Sequence, residues 1–110
     1  MQNTIKTLDD VKQFLARKNI KILNGSILFD LGDDLLFILG LDTKQEIKLF
    51  KKSNQQSINI APNHCHMTID LETVISLLTG EIKSYDAYTS GRIKISGSSA
   101  VALKLQNLLG

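Results

Sequence analysis

Two histidines and a cysteine stand together at His64-Cys65-His66, the densest cluster of chemistry-bearing side chains in the 110 residues. Imidazole beside thiol can activate a nucleophile, and both types bind metals. Spacing decides what this cluster can do. From His64 to Asp70, Cys65, Met67 and Ile69 alternate with His64, His66, Thr68 and Asp70. That is the period of a half-buried strand, whose neighbouring side chains face opposite ways. The histidines therefore share one face and Cys65 turns from them, so these three do not make a cysteine–histidine nucleophile. Two histidines at i, i+2 begin a metal site, but a stable one wants a third or fourth ligand, and only Asp70 lies farther along that face. The expectation is no metal, solvated histidines, and Cys65 as a small core residue.

The remaining reactive types are no more convergent. Asp33 and Asp34 follow Gly32, where aspartate serves a turn rather than acid–base work. Gly91 and Gly97 bracket a strand rather than open a helix, so no phosphate-cradling loop is present. Tyr85 and Tyr88, the two tyrosines, offer either a hydroxyl to a ligand or a packed ring with its polar tip at the surface. No catalytic constellation emerges, so the expectation is a non-enzyme without a cofactor.

Composition narrows the classes further. Lys plus Arg is 13 and Asp plus Glu 11, a formal net charge of +2. The basic residues are dispersed among acidic ones, which is no nucleic-acid footprint. Lys48 to Lys52 holds three lysines and reads as a solvated strand end, with an anionic membrane surface as the other reading. Hydrophobic residues make up 43%, enough to exclude a disordered chain, and the length suits one domain over residues 1–110. One cysteine allows no intrachain disulfide and fits a reducing compartment. The start, MQNTIKTLDDVK, lacks the apolar stretch of a signal peptide. The apolar run Leu35 to Leu41 falls far short of the roughly 20 residues of a membrane span. The end, Leu108-Leu109-Gly110, is not a peroxisomal tail. The expected location is the cytoplasm.

The elements that must position these residues follow from periodicity. Thr7 caps a first helix over about Leu8 to Lys18, with Val11, Phe14 and Leu15 on its apolar side. Ile27, Phe29 and Leu31 alternate in a strand. Gly32-Asp33-Asp34 turns it into the run Leu35 to Leu41, as an antiparallel hairpin. Ile47 and Leu49 mark a third strand, and Pro62 sits in the polar loop before the fourth. Asp70 caps a helix carrying Leu71, Val74, Ile75, Leu77 and Leu78, and Gly80 stops it. A short helix over 84–90 turns Ala87 and Tyr88 inward. Ile93 and Ile95 form a fifth strand, and Ser98 or Ser99 caps a last helix. The fold class is α+β with a mostly antiparallel sheet. The last helix is apolar around much of its circumference, more than one packed face requires. A bound lipid, a partner chain or a second copy of this one, or a deeper core would each cover the surplus.

The second half resembles the sterol carrier protein type 2 family. The likeness lies in Leu77, Leu78 and Gly80 at a helix end, the pair Ala87-Tyr88, the glycine-bracketed strand Gly91-Arg92-Ile93-Lys94-Ile95-x-Gly97, and Ala102-Leu103-Lys104-Leu105-Gln106 in the closing helix. Residues 24–31, NGSILFDL, are similar to the family's first strand. Phe37 stands where the family often carries a tryptophan. The resemblance implies a five-stranded sheet covered by helices with an apolar tunnel between them. It implies a ligand there: a fatty acid, fatty acyl-CoA, sterol or phospholipid, bound and transferred. It also implies a second role known in the family, a scaffold or accessory module of lipid or quinone metabolism. The expected tunnel lining comprises the aromatic Phe29, Phe37 and Tyr88 with Leu39, Met67, Leu77, Leu103 and Leu105.

Overall fold

The computed structural model describes residues 5–54, 58 and 60–109, the side chain of residue 109 excepted. The chain opens with α1 (Leu8–Ala16), and its start is built by a reciprocal cap. The Thr7 hydroxyl accepts from the Asp10 amide at 3.2 Å, and the Asp10 carboxylate accepts from the Thr7 amide at 3.0 Å, pairing donors that a helix N-terminus leaves free. Val11 and Leu15, four apart, are its buried residues. The helix ends two residues before the expected Lys18. A 3₁₀ turn, Ile20–Leu23, follows and buries Ile20 and Leu23, an apolar turn too short for a helical period to reveal. Asn24, left-handed at φ 47°, releases the chain into the sheet.

Five strands follow: β1 (Gly25–Asp30), β2 (Asp34–Gly40), β3 (Gln45–Lys51), β4 (His64–Thr68) and β5 (Lys94–Gly97). Their order across the sheet is β3-β2-β1-β4-β5. All neighbouring pairs are antiparallel except β1 with β4. Between β4 and β5 lie α2 (Leu71–Thr79) and α3 (Ser84–Thr89), and α4 (Ser99–Leu109) closes the fold. Asp70 caps α2 through the Thr73 amide at 2.7 Å, and Gly80 ends it at φ 82°. Ser98 starts α4: its hydroxyl accepts from the Val101 amide at 3.3 Å.

The sheet is covered on both faces. Register aligns Ile47, Ile38, Ile27 and Cys65 in one row, and Leu49, Leu36, Phe29, Met67 and Ile95 in the next. These rows pack against α1, the 3₁₀ turn, α2 and α4 as the main core. The opposite face carries a smaller cluster of Phe37, Leu39, Phe50 and Ala61, with Leu28, Leu35 and Ile58 against it. Cys65 is wholly buried in the main core, where desolvation pushes its thiol pKa up. The lysines of the basic stretch are each spoken for: Lys48 beside Glu46 at 3.8 Å, Lys51 on Asp34 and Lys52 on Asp30, both at 2.9 Å. At such exposed positions these pairs add little stability, but they divide the positive charge into neutral couples. Among the described residues no helix is long and apolar enough to cross a membrane.

Gly40 ends β2 where the 3₁₀ turn crosses it. A Cβ there would overlap the Ile20 carbonyl oxygen, and Gly40 is held between Gly25 and Gln45 on the neighbouring strands. Gly40→Ala is expected to cost about 3 kcal/mol or more and to lower Tm by at least about 10 °C. Thermal melts followed by circular dichroism check this, and an unchanged midpoint contradicts it.

Candidate functional site

A half-open cavity of about 350 Å³ lies between the helix-covered face of the sheet and α2, α3 and α4. Its floor is the row Phe29, Met67 and Ile95, one residue from each of three neighbouring strands. Ile69 and then Val74, Leu77 and Leu78 of α2 form one wall. Ala102 and Leu105 of α4 form another, and Leu15 and Ile93 close the ends. The deep part is apolar throughout, as small-molecule sites of this size mostly are.

The opening has a different character. Ala87 is the buried residue of α3 and pins that helix against the core. Tyr85 and Tyr88, three apart on a neighbouring face, stand at the rim 70% and 56% exposed, facing Leu103 of α4 at 58%. Ser84, Ser99 and Gln106 complete the polar lining. Among the described residues no Lys, Arg, His, Asp or Glu lines the cavity.

Of the eight residues expected at a tunnel, six line this cavity: Phe29, Met67, Leu77, Tyr88, Leu103 and Leu105. Tyr88 stands at the opening rather than inward. Phe37 and Leu39 do not belong; they lie on the far face of the sheet, in the cluster with Phe50 and Ala61. The run Leu35 to Leu41 is apolar at nearly every position because both faces of β2 are covered, so it carries no alternation to read. The phase is held by the neighbouring strand: Phe37 lies opposite Lys48 and Leu39 opposite Glu46. Among the lining residues not singled out in the sequence, Val74 and Leu78 were legible in the α2 stripe, and Tyr85 as the partner of Tyr88 three positions on. Leu15 was legible in the apolar side of α1 and Ile69 in the alternation with Met67, but neither pattern marked a cavity.

The histidine cluster takes a structural form. His64 and His66 share the far face, but His64 is half-buried and tied to the wholly buried Ser26. The Ser26 Oγ lies 2.6 Å from His64 Nδ1 and accepts from the Ala61 amide at 3.0 Å. Burial lowers the His64 pKa, the charge of His66 lowers it further, and a hydrogen bond with the Ser26 backbone opposes them. Ser26 Oγ and His64 Nδ1 share this hydrogen bond, and one hydroxyl thereby joins β1, β4 and the segment leading to β4. His66 approaches Asp30 at 3.8 Å. Asp70 is spent on the α2 cap, and among the described residues no three His, Cys, Asp or Glu side chains converge as metal ligands.

A histidine whose pKa falls on folding binds fewer protons in the native state, so its contribution is full above the ordinary value of about 6.5 and is lost as pH falls through the folded value. Tm is therefore expected to drop between pH 7.5 and 5.5. His64→Asn, whose amide can pair with the Ser26 hydroxyl without titrating, should flatten that drop; equal slopes in melts of the two proteins contradict the assignment.

Comparison with known proteins agrees with this architecture. The model of the SCP-2 sterol transfer family matches residues 3–110. Sterol carrier protein 2 of Oryctolagus cuniculus is 39% identical over 44 residues, 40% of this chain; the match spans 8% of that protein's length. Among solved structures, apo sterol carrier protein 2 of Yarrowia lipolytica superposes with a TM-score of 0.61 at 19% identity, over 93% of this chain and 77% of that one. A UbiJ-SCP2 ubiquinone synthesis protein gives 0.59 at 12% identity, over 90% and 81%. The inverting sec-alkylsulfatase Pisa1 of a Pseudomonas species gives 0.70 at 12% identity, over 94% of this chain and 16% of its own. At these identities the superpositions speak for the fold. The family match spans nearly the whole chain: this protein belongs to the SCP-2 sterol transfer family.

Proposed function

We propose that the protein binds a lipid in the cavity between its sheet and helices, and carries it without transforming it. The observation behind this reading is the cavity itself: an apolar base, a polar rim, and an exposed opening, in a chain of a family described as sterol transfer proteins. Each buried ligand methylene contributes roughly 0.8 kcal/mol, so an acyl chain binds without an ion pair to hold it. Among the described residues the lining holds no cysteine or histidine and no carboxylate, which supports carriage rather than catalysis. Loading brings Tyr85, Tyr88 and Leu103 into transient contact with a membrane surface. A cytoplasmic setting suits the single buried, free Cys65.

A second reading is a non-catalytic accessory module of lipid or quinone metabolism, in which the exposed Leu103 side of α4 meets a protein partner or a second copy. The fold likeness to a ubiquinone synthesis protein favours it. Sedimentation separates the two: a monomer at every concentration that binds lipid favours the carrier.

The neutral fluorescent ligand N-phenyl-1-naphthylamine is expected to bind the purified protein at micromolar concentration. Ala102 lines the cavity and is only half-buried, so Ala102→Trp fills the space without emptying the core. Its affinity for the probe should fall at least tenfold, about 1.4 kcal/mol, with Tm within a few degrees of the parent. Absence of probe binding to the parent protein sinks the reading.

A further inference from the structure

The β3 edge of the sheet carries a strand able to pair with itself. Hydrogen bonds fix which way its backbone points. Leu41 and Lys44 exchange amide and carbonyl bonds across the turn before it, and beyond it the Lys52 amide donates to the Asp33 carbonyl. Bonded and non-bonded pairs alternate along an antiparallel ladder, so Glu46, Lys48 and Phe50 bond to Leu39, Phe37 and Leu35 of β2. Gln45, Ile47 and Leu49 then turn their amides and carbonyls outward, where β3 has no neighbouring strand. Among the described residues no backbone hydrogen bond reaches them there. The strand runs seven residues with no proline, glycine or bulge, the devices that commonly blunt an edge. β5, at the opposite edge, has four residues and offers a shorter ladder.

Charge is the remaining protection, and here it is self-complementary. A lone lysine on an edge repels its own copy. Lys48 instead has Glu46 two residues away on the same far face, with Ile47 midway between them. Two copies of β3 set antiparallel about a twofold axis at Ile47 bring Ile47 against Ile47, Gln45 against Leu49, and Glu46 against Lys48 twice. The outward-pointing residues exchange the backbone bonds. The Glu46–Lys48 pairs fall at non-bonded positions, where opposed side chains come closest. Sliding either copy by two residues opposes Lys48 to Lys48 or Glu46 to Glu46, so charge selects this register. Glu46 also lacks a donor: its Oε1 is buried and accepts no hydrogen bond among the described residues, and Lys48 of the same chain stays 3.8 Å away. The ammonium of a second copy supplies that carboxylate with a charged partner.

We propose that β3 pairs with β3 of a second copy, antiparallel about Ile47, to make one continuous sheet across a twofold dimer. The contact is isologous, each copy giving the same patch. A single strand pair falls at or below the roughly 1,000 Å² of lasting interfaces, so the dimer is reversible and forms above about 0.1 mM. The cavity floor lies on β1, β4 and β5, away from this edge, and Leu103 is equally remote from it in the sheet order. The inference is therefore independent of lipid carriage, and a chain with this contact broken is the one in which sedimentation reports on α4.

Sedimentation velocity of the full chain between about 0.01 and about 1 mM is expected to show reversible dimers. Glu46→Lys and Lys48→Glu each oppose like charges twice, and each should raise the dimer Kd at least about tenfold. Mixed in equal amounts the two variants complement each other and should restore association as a heterodimer, which unfolded chains would not do. The double variant carrying both changes should dimerise like the parent. In amide exchange, Ile47 and Leu49 should gain protection as the parent concentration rises. A parent that stays monomeric throughout overturns the proposal. So do single variants that dimerise as the parent does, which assigns association to another surface, and a mixture of the two that remains monomeric.

Discussion

The parallel pairing of β1 with β4 governs the far side of this molecule. β2 runs against β1 and β3 against β2, so β3 ends at the same edge of the sheet as β1 does. For β4 to run alongside β1, the chain must travel back the length of the sheet between Lys51 and His64. A parallel neighbour always demands such a return, and a helix usually supplies it. Here the described part of the return lays Ile58 and Ala61 against Phe37. Ser26, at the first position of the parallel register, holds Ala61 by hydrogen bond while reaching His64 on the neighbouring strand. The part of the far face around Phe37 is thereby covered by Ile58 and Ala61 and fastened by one hydroxyl, and the helices cover the other face.

This division of labour explains how the cavity comes to exist. The helix-covered face has to bury two long rows of apolar side chains with four helices, one of them, α3, only six residues long. α3 contributes one wholly buried residue, Ala87, a small side chain that is not among those lining the cavity. The space beneath it is walled by α2 and α4 but not filled. The apolar excess of α4 finds its place here: Val101 and Leu105 are core, Ala102 and Leu105 line the cavity, and Leu103 remains at its opening. A deeper core accounts for part of that excess and the cavity for the rest.

Much of this was legible in the residues. The strand and helix order followed from alternation, from Thr7 and Asp70 as caps, and from Gly80 and Gly91 as stops. Three facts were not. The 3₁₀ turn at Ile20–Leu23 is shorter than any period that could announce it. The side of the sheet taken by Phe37 and Leu39 cannot be read from a strand apolar throughout; it is readable only once β3 is set against β2, when Glu46 and Lys48 mark the far face. Ser26 is a common residue in a strand and says nothing of its role. Its importance arises from two partners that the fold brings to it from far along the chain. The fold class was thus readable from local pattern and the resemblance, whereas the assignment of side chains to one face or the other was decided by pairings between strands.

The Ser26 bridge also bears on the order in which the molecule comes together. Its two hydrogen bonds join positions 35 and 38 apart in the chain, whereas the β1–β2 hairpin needs only three intervening residues. Drawing distant segments together costs chain entropy that a hairpin does not pay. The hydroxyl cannot meet both partners until β4 has docked beside β1 and the return segment has been laid across Phe37. It is a late contact by necessity, a latch that engages on an almost finished structure and so separates a correctly threaded sheet from one that is merely collapsed.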